Sequence, residues 1–321
     1  MKHITNLNCV VATAVALLSL PPNASAEDTL KLAAAHRGAW ESAAPELGQL
    51  TGIFKKHGIV LDLNYTQTDG ETESRVISGN ADVGLAIGSM GVLRAYSRGA
   101  PVRIIGANTT GAANYWYVPA TSAIKAIKDM VGKSIAYSTN GSSNHYDALD
   151  LIKQYRLKAR VLPTGGATAT FNEVMLGHVD VGWATPPFGI DAIDQGKIRI
   201  VARANDVSTI RGKTITVAIT NADALQKRKD VLARFMQAYR ETIAWMYSDP
   251  AALKRYAEFA GVSEGFAQRL RDEFFTKDML SPDKISGLGA IIKDAITLRY
   301  IQTSLSRKEV AELIQIPAPV R

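Results

Sequence analysis

The sequence predicts an α/β protein built from two similar lobes, and three observations lead to that prediction. Short apolar segments alternate with amphipathic segments, the order expected of a parallel sheet covered by helices. This alternation occurs twice, once before and once after an extended stretch at residues 108–118. From residue 221 onward, the chain is predicted to be almost entirely helical.

The composition is that of an ordinary globular protein. Of the 321 residues, 46% are hydrophobic and 21% are charged, which excludes a disordered chain and a membrane protein with several spans. The single cysteine cannot build a disulfide framework or a cysteine-ligated zinc site. The net charge of +7 is compatible with nucleic acid, a membrane surface or an anionic ligand. Because the basic residues are spread over helix and loop positions, we do not expect nucleic-acid binding.

The first 26 residues have the pattern of a cleavable secretion signal. A basic residue precedes the mostly apolar run 9–20, which is too short to span a bilayer as a helix. A proline pair ends the run, and Ala24 and Ala26 offer the small side chains that a signal peptidase requires. We expect cleavage before Glu27 and export of the remaining chain.

The first unit contains four predicted strands separated by helices. Each strand is a short apolar run, and glycines such as Gly58 and Gly79 end the helices between them. The predicted strands are 30–35, 59–65, 81–87 and 102–106, and the predicted helices are 42–56, 71–78 and the segment after Gly88-Ser89 up to 98. This order predicts a parallel sheet.

The second unit repeats the pattern and leads into the helical tail. Its predicted strands are 134–137, 160–163, 179–183 and 198–202, followed by a strand at 214–219. In the tail, a long helix is predicted over 225–247. Asp249-Pro250 and Ser281-Pro282 each carry the signal of a helix start, and residues 306–309 fit a capping box.

These units define the predicted domains. We expect a signal peptide at 1–26, a first lobe at 27–112, a second lobe at 113–206, and a mostly helical segment at 207–321 that completes the first lobe. The extended stretches 108–118 and 203–215 would cross between the lobes. Two such crossings form a hinge, with a cleft between the lobes.

The common catalytic and metal-binding motifs are missing from the sequence. It contains no G-x-S-x-G or G-x-G-x-x-G motif, and the segments 132–134 and 212–214 lack the first glycine of a P-loop. The four histidines after residue 26 are widely spaced, which argues against a zinc site. A serine–histidine–aspartate triad around His145 stays open. We expect a protein that is not an enzyme and that binds neither a cofactor nor a metal.

Polar loops at the carboxyl ends of predicted strands are the candidate binding site, because open α/β sheets bind ligands there. The loop 138–145 opens a helix with small residues, and the N–H groups and dipole of such a helix favour an anion. Ordinary helix capping is the competing interpretation of its serines. The predicted ligand-binding residues are His36, Arg37, Trp40, Ser89, Met90, Asn114, Tyr115, Asn140, Ser142, Ser143, Trp183 and Thr185.

Competing interpretations apply to several of these residues. The loop 36–41 joins a cation and an aromatic side chain after the first strand, but it could equally be a surface loop. Core packing is the alternative for Tyr115 and Trp183. In the ligand-binding interpretation, Arg37 neutralises charge on the ligand.

An ordered set of motifs resembles the nitrate/taurine/sulfonate substrate-binding proteins of ABC importers, the NMT1/THI5-like family. Each motif is weak alone, and the order in which they occur is specific. The resemblance covers residues 30–205 and extends loosely into the helical tail. The motifs are 52–59 followed by 61–63, 78–84, 98–102, 131–136 before 141–143, 177–183 and 195–199.

The resemblance implies a type II periplasmic-binding-protein fold, whose two lobes close on a ligand and dock on a membrane permease that works with an ATPase subunit. It implies an anionic head group near Ser89, Ser142 and Ser143, with further contacts from the first loop and Trp183. The implied protein is a periplasmic monomer that docks transiently at the inner membrane.

The ligand class follows from the aromatic residues near the predicted cleft. Trp40, Tyr115 and Trp183 leave room for an alkyl or aryl tail that nitrate does not have. We therefore expect a small organic anion, either a sulfonate such as taurine or a carboxylate. Import of nitrate or of a thiamine-precursor pyrimidine, and a periplasmic sensor role, stay open, whereas a secreted enzyme is disfavoured.

Overall fold

The computed structural model describes residues 27–318 of the chain. The predicted secretion signal, residues 1–26, lies outside the described residues. Within the described part of the chain, no helix is both long enough and apolar enough to cross a membrane.

Two mixed sheets form the framework of the molecule, and their strands are apolar segments, several of them buried along their whole length. The strands of residues 27–318 are β1 Asp28–Ala35, β2 Ile59–Thr66, β3 Val83–Gly88, β4 Val102–Thr110, β5 Tyr115–Pro119, β6 Ser134–Tyr137, β7 Arg160–Pro163, β8 Gly182–Ala184, β9 Ile198–Arg203 and β10 Thr214–Asn221.

Helices cover the faces of both sheets and form most of the chain after β10. Their bounds are α1 Ala44–Leu50, α2 Ile53–Lys56, α3 Asp69–Ile77, α4 Ser89–Ser97, α5 Ser143–Tyr155, α6 Ala167–Met175, α7 Ile190–Asp194, α8 Ser208–Arg211, α9 Ala222–Lys227, α10 Lys229–Ser248, α11 Ala251–Ala260, α12 Glu264–Glu273, α13 Leu288–Thr297 and α14 Arg307–Leu313. Short 3-10 turns occur at Trp40–Ser42, Ile127–Met130, Ala204–Asp206 and Lys277–Met279.

The first sheet has the strand order β2-β1-β3-β10-β4, and with its helices it is called the first lobe. β1 pairs in parallel with β2 and β3, as the sequence predicts. β10 runs antiparallel between β3 and β4, so the expectation of a parallel sheet is wrong at this strand. All eight residues of β10 are buried, as expected for a central strand. Its direction is reversed because the chain returns to this sheet from the other lobe.

The second sheet, with its helices, is called the second lobe. β5 lies between β8 and β9 and is antiparallel to both. β6 pairs in parallel with β7 and meets the segment before β8 at the Ile135–Val181 bridge, which gives the order β7-β6-β8-β5-β9. The segment that forms β5 is predicted from the sequence as part of a connection. It is instead a central strand.

Helix ends agree with the sequence signals at some places and differ at others. The capping box at Ser306 and Glu309 is confirmed. The helix start predicted at Ser281-Pro282 is wrong, since the helix α13 begins only at Leu288. The carbonyl oxygen of Pro282 instead accepts a hydrogen bond of 3.0 Å from the backbone N–H of Ala107 in β4. The hydrogen bond between this segment and β4 therefore outweighs the helix-start signal of Ser281-Pro282.

A buried charge cluster lies where the second crossing enters the first lobe. The Lys213 amine donates to Asp150 at 3.0 Å and to Asp294 at 2.7 Å. Asp294 in α13 also accepts from the Tyr146 hydroxyl at 2.7 Å and from the Lys153 amine at 2.8 Å, both on α5. Burial alone would raise the pKa of Asp294, but these donors outweigh it and lower that pKa to about 2. The helical tail therefore contacts the second lobe as well as the first.

Candidate functional site

Strand ends of both lobes meet around a cavity of about 180 Å³ in the cleft. We call it the outer cavity. From the first lobe it is lined by the loop after β1 and by the end of β2, and from the second lobe by α6 and the segment that follows β8. Its lining includes His36, Arg37, Gln67, Thr168, Trp183 and Phe188.

A second cavity of about 10 Å³ lies beside the first and is lined almost entirely by buried residues. We call it the inner cavity. It shares His36 and Thr185 with the outer cavity, so the two are adjacent parts of one cleft. Its other lining residues include Glu41, Thr109, Asn114, Ser143 and Thr216. A space of this volume holds one group of about the size of a water molecule.

Asp69 joins the two lobes directly at the inner cavity. It begins α3 in the first lobe, where Thr68 caps the helix. One carboxylate oxygen contacts Nε2 of His36 at 3.1 Å, and the other accepts the backbone N–H of Ser143 at 2.8 Å. Ser143 is the first residue of α5 in the second lobe. A negative charge at this position is stabilised by the helix dipole.

The His36–Asp69 pair shifts both pKa values toward the charged forms. Burial alone would lower the pKa of His36, but the hydrogen bond and charge of Asp69 outweigh it, so this pKa is raised. Burial alone would raise the pKa of Asp69, but His36 and the Ser143 amide outweigh it, so this pKa is lowered. Both shifts favour the charged forms of His36 and Asp69, so each residue stabilises the ionised state of the other.

Close backbone contact between the lobes surrounds this pair. A Cβ added to Gly88 would lie 2.5 Å from the backbone nitrogen of Ser143. A Cβ added to Gly141 would lie 2.9 Å from Cα of Gly91. The start of α4 thus touches the start of α5, and only glycine fits at these two positions. These glycines set how closely the lobes approach.

Ser142, Ser143 and Asn140 of the loop 138–145 have hydrogen-bond partners within the protein. Oγ of Ser142 accepts the backbone N–H of His145 at 3.2 Å, which is ordinary N-capping. The amide of Ser143, which the sequence suggests for a ligand anion, is bonded to Asp69. Asn140 is exposed and accepts a hydrogen bond of 2.6 Å from the Tyr137 hydroxyl. A ligand role for these three residues stays a prediction.

Four other predicted residues line neither cavity. The ring N–H of Trp40 donates to the Tyr247 hydroxyl at 3.0 Å, and the Trp40 side chain is fully buried in the first lobe. Met90 is fully buried in the core, and the hydroxyl of Tyr115 donates to the Phe188 carbonyl. Ser89 is buried at the start of α4. The structure therefore places these four side chains in the protein interior.

The remaining predicted residues gather at the cleft. His36 and Trp183 meet edge to face, with ring centroids 5.8 Å apart, across the two lobes. Thr185 donates to the side-chain oxygen of Asn114, which holds both residues against the inner cavity. The Arg37 guanidinium lies 4.9 Å from the centre of the Phe259 ring and is solvent-exposed at the outer cavity.

Glu41 is a cleft residue that the sequence prediction does not include. It follows β1 in the turn Trp40–Ser42 and is only 7% exposed. Its oxygen Oε2 has no hydrogen-bond partner among the described residues. Burial raises the pKa of Glu41 to about 7. The signal in the sequence is one acidic side chain in the otherwise uncharged stretch from Ala39 to Ala44.

A second buried glutamate provides a comparison within the same lobe. Glu73 on α3 is also 7% exposed, and burial raises its pKa to about 7. Its oxygen Oε1 has no partner among the described residues either. Unlike Glu41, it lines neither cavity.

His145 is not arranged as the base of a triad within the described residues. Its ring stacks on Tyr137 at a centroid distance of 3.8 Å, and its Nδ1 contacts the Tyr300 hydroxyl and the Gly141 amide. Burial lowers the pKa of His145 to about 4. In residues 27–318, neither a serine hydroxyl nor an aspartate is hydrogen-bonded to the ring.

Comparison with protein families gives a match over residues 46–253 to the family described as NMT1/THI5 like. The chain belongs to the NMT1/THI5-like family. The match includes parts of both lobes, among them the loop 138–145 and Trp183, so the resemblance inferred from the ordered motifs is confirmed. No curated protein sequence matches the chain.

Solved structures similar to this NMT1/THI5-like protein have the periplasmic-binding-protein fold. The alkanesulfonate-binding protein SsuA from Xanthomonas axonopodis pv. citri, bound to MOPS, has a TM-score of 0.72 and 20% identity, covering 90% of this chain and 98% of that one. The periplasmic nitrate-binding protein NrtA from Synechocystis PCC 6803 has a TM-score of 0.69 and 12% identity, covering 89% and 84%.

A third structure has a different source and the same fold. It is a Candida albicans gene product described as having the generic periplasmic binding protein fold, with a TM-score of 0.71 and 14% identity, covering 92% of this chain and 98% of that one. At such identities these likenesses show the fold alone. The predicted fold class is thereby confirmed.

Proposed function

We propose that the protein is the periplasmic substrate-binding component of an ABC importer and captures a small organic anion, a sulfonate or a carboxylate, between its lobes. The observation that carries this proposal is the outer cavity, which is lined from both lobes and combines the guanidinium-bearing Arg37 with the aromatic wall of Trp183 and Phe188. Similarity in fold to an alkanesulfonate-binding protein supports it.

The dimensions and chemistry of the outer cavity favour a compact ligand. Its volume of about 180 Å³ is smaller than the roughly 300–1,000 Å³ of a typical pocket for a drug-sized molecule. An arginine pairs well with sulfonate or carboxylate oxygens, because its N–H groups form a fork that can bind two oxygens at once. The aromatic rings would cover an alkyl or aryl tail. Nitrate lacks such a tail, so it uses less of this surface.

Transport would follow from closure of the two lobes. A ligand in contact with both lobes stabilises the closed arrangement over the open one by its difference in affinity for the two. The closed protein would dock as a monomer on a membrane permease, whose ATPase subunit drives import.

The proposal is tested by ligand screening of purified residues 27–321. Sulfonates, carboxylates and nitrate are compared by thermal shift, because a ligand that binds only the folded protein raises its melting temperature. Calorimetry on the compounds that raise it then compares the parent chain with Arg37→Ala. Arg98→Ala is the matched control, since Arg98 is exposed just after α4 and lines neither cavity.

We expect an organic sulfonate or carboxylate to raise the melting temperature, and Arg37→Ala to weaken its binding at least tenfold while Arg98→Ala leaves it unchanged. The proposal is wrong if no organic anion in the screen binds, or if Arg37→Ala binds the anion as tightly as the parent does.

A further inference from the structure

We propose that Glu41 is a specificity-determining residue at the inner end of the cleft and accepts a hydrogen bond from an N–H group of the ligand. This inference rests on the proposed binding function and narrows its ligand class. The ligand would carry its anionic group toward Arg37 in the outer cavity and an amino or similar N–H group toward Glu41 in the inner cavity.

Glu41 lines the inner cavity, and one of its two carboxyl oxygens, Oε2, lacks a hydrogen-bond donor among the described residues. Oε2 is inaccessible to solvent and has no hydrogen-bond partner within residues 27–318. A buried polar atom without a partner is costly, and a buried charge without one is more costly still. A ligand N–H directed at this oxygen removes that cost. Binding of such a ligand therefore gains more than the hydrogen bond alone.

The other groups around the inner cavity disfavour an anion there. No lysine or arginine is among the described residues that line it, and its one basic side chain, His36, is paired with Asp69. The Ser143 amide at the start of α5 is also bonded to Asp69. A ligand carboxylate or sulfonate in this place would meet the carboxyl group of Glu41 and no unpaired cation of the described residues.

The size of the inner cavity agrees with an amino group. Its volume of about 10 Å³ admits one group as large as a water molecule, and an ammonium or amine nitrogen has that size. A sulfonate, with its three oxygens, does not fit in this volume. The outer cavity, about 180 Å³ in volume and bordered by Arg37, has room for the rest of the molecule.

The test uses pairs of compounds that differ only in the amino group. Suitable pairs are 2-aminoethanesulfonate with ethanesulfonate, 3-aminobenzenesulfonate with benzenesulfonate, and 3-aminopropanoate with propanoate. Calorimetry measures each pair against the parent residues 27–321 and against Glu41→Gln, Glu41→Asp and Glu73→Gln. Glu73→Gln is the matched control, because Glu73 is equally buried but lines neither cavity.

We expect the parent to bind the amino member of at least one pair about 10- to 100-fold more tightly, the range of a charge-assisted hydrogen bond. Glu41→Gln should abolish most of that preference, Glu41→Asp should retain part of it, and Glu73→Gln should retain all of it. Thermal melts of each variant check that it is folded.

The remaining outcomes separate the two proposals. If the anions bind but the amino group brings no preference, or if Glu41→Gln keeps the preference, the role of Glu41 is overturned and the proposed function stands. If no member of any pair binds the parent chain, both are overturned.

Discussion

The inner and outer cavities are adjacent, yet their chemistry is opposite. The outer cavity is larger, bordered by aromatic rings and by the exposed Arg37. The inner cavity is small, and the acidic Glu41 is buried at its wall. His36 and Thr185 border both. The inner cavity lies at the start of α5, where the sequence suggests an anion site, yet the backbone N–H of Ser143 there already donates a hydrogen bond to Asp69 of the other lobe. The contrast therefore teaches that the start of a helix is not by itself an anion site.

The largest expected effect is at the wall of the outer cavity. Trp183 is 1% exposed and contacts the ring of His36 across the lobes. Trp183→Ala should lower the free energy of unfolding by about 3–5 kcal/mol, because a large buried ring is removed. Urea denaturation measures this change, and Trp183→Phe should recover most of it. A loss below about 1 kcal/mol would show that Trp183 packs less tightly than its burial indicates.

The next largest effect concerns the buried acid of the inner cavity. The pKa of Glu41 is raised to about 7, so between pH 4.5 and pH 7 the folded state binds a proton that the unfolded state has released. The buried Glu41 therefore does not lower the free energy of unfolding below pH 4.5, where it is protonated in both states, and lowers it most above pH 7, where it is ionised in both. Glu41→Gln should stabilise the protein by about 3 kcal/mol at pH 8, with the gain vanishing toward pH 4.5.

Denaturation of the parent and Glu41→Gln at pH 5, 6, 7 and 8 measures this pH dependence. Glu73→Gln should give a similar stability profile, because burial also raises the pKa of Glu73 to about 7. The two variants are expected to differ only in ligand preference. If Glu41→Gln stabilises the protein equally at every pH, the raised pKa of Glu41 is not the cause of the stabilisation.

A smaller effect is expected where the two cavities meet. Asp69→Asn removes the charge that holds His36 and should lower the free energy of unfolding by about 1.5–3 kcal/mol. The raised pKa of His36 contributes stability below its unfolded pKa of 6.5, and this contribution is lost as the pH rises through the folded value.

In Asp69→Asn that pH dependence should reverse, because burial then outweighs the remaining charge of Glu41 and lowers the pKa of His36 below its unfolded value. Proton NMR of the His36 ring follows the pKa directly. His57→Gln is a control for overlapping histidine signals, since His57 is bonded to Glu241 outside the cleft. An unchanged pKa of His36 in Asp69→Asn would contradict the ion pair.

The smallest effect on stability is expected at the mouth of the outer cavity. Arg37 is exposed and contributes a cation–π contact with Phe259, so Arg37→Ala should change the free energy of unfolding by less than about 1 kcal/mol. The same change should weaken binding of an organic anion. A loss of stability as large as that of Trp183→Ala would mean that Arg37 has a structural role instead.

Local patterns predict most of the strands, and non-local pairing explains the errors. The strands β1, β2 and β6 are visible in the sequence, β1 and β6 as short apolar runs and β2 by its alternation of apolar and polar residues. The antiparallel insertion of β10 depends on where the chain returns after the second lobe, which no local pattern encodes. The domain limits at 112/113 and 206/207 stay predictions.

The sequence predicts a position at the cleft best for candidate site residues that directly follow the end of a strand. His36, Arg37 and Thr185 directly follow β1 and β8, and they lie at the cleft. Trp40 and Tyr115 are close to strand ends too, but their rings turn into the core, and side-chain direction cannot be inferred from position alone. Asp69 joins Ser143 across 74 positions of sequence, a contact that only the folded chain reveals.

The charge cluster around Asp294 also has a mechanical consequence. Three distant pieces of chain, α5, the second crossing and α13, meet at this buried point through Tyr146, Lys213 and Asp294. If the lobes close on a ligand as proposed, we expect this junction to be the pivot of the rotation. Points at the far rims would then move farthest, and points beside Asp294 least. Spectroscopic labels at the rims would therefore report lobe motion, and labels beside Asp294 would serve as the stationary reference.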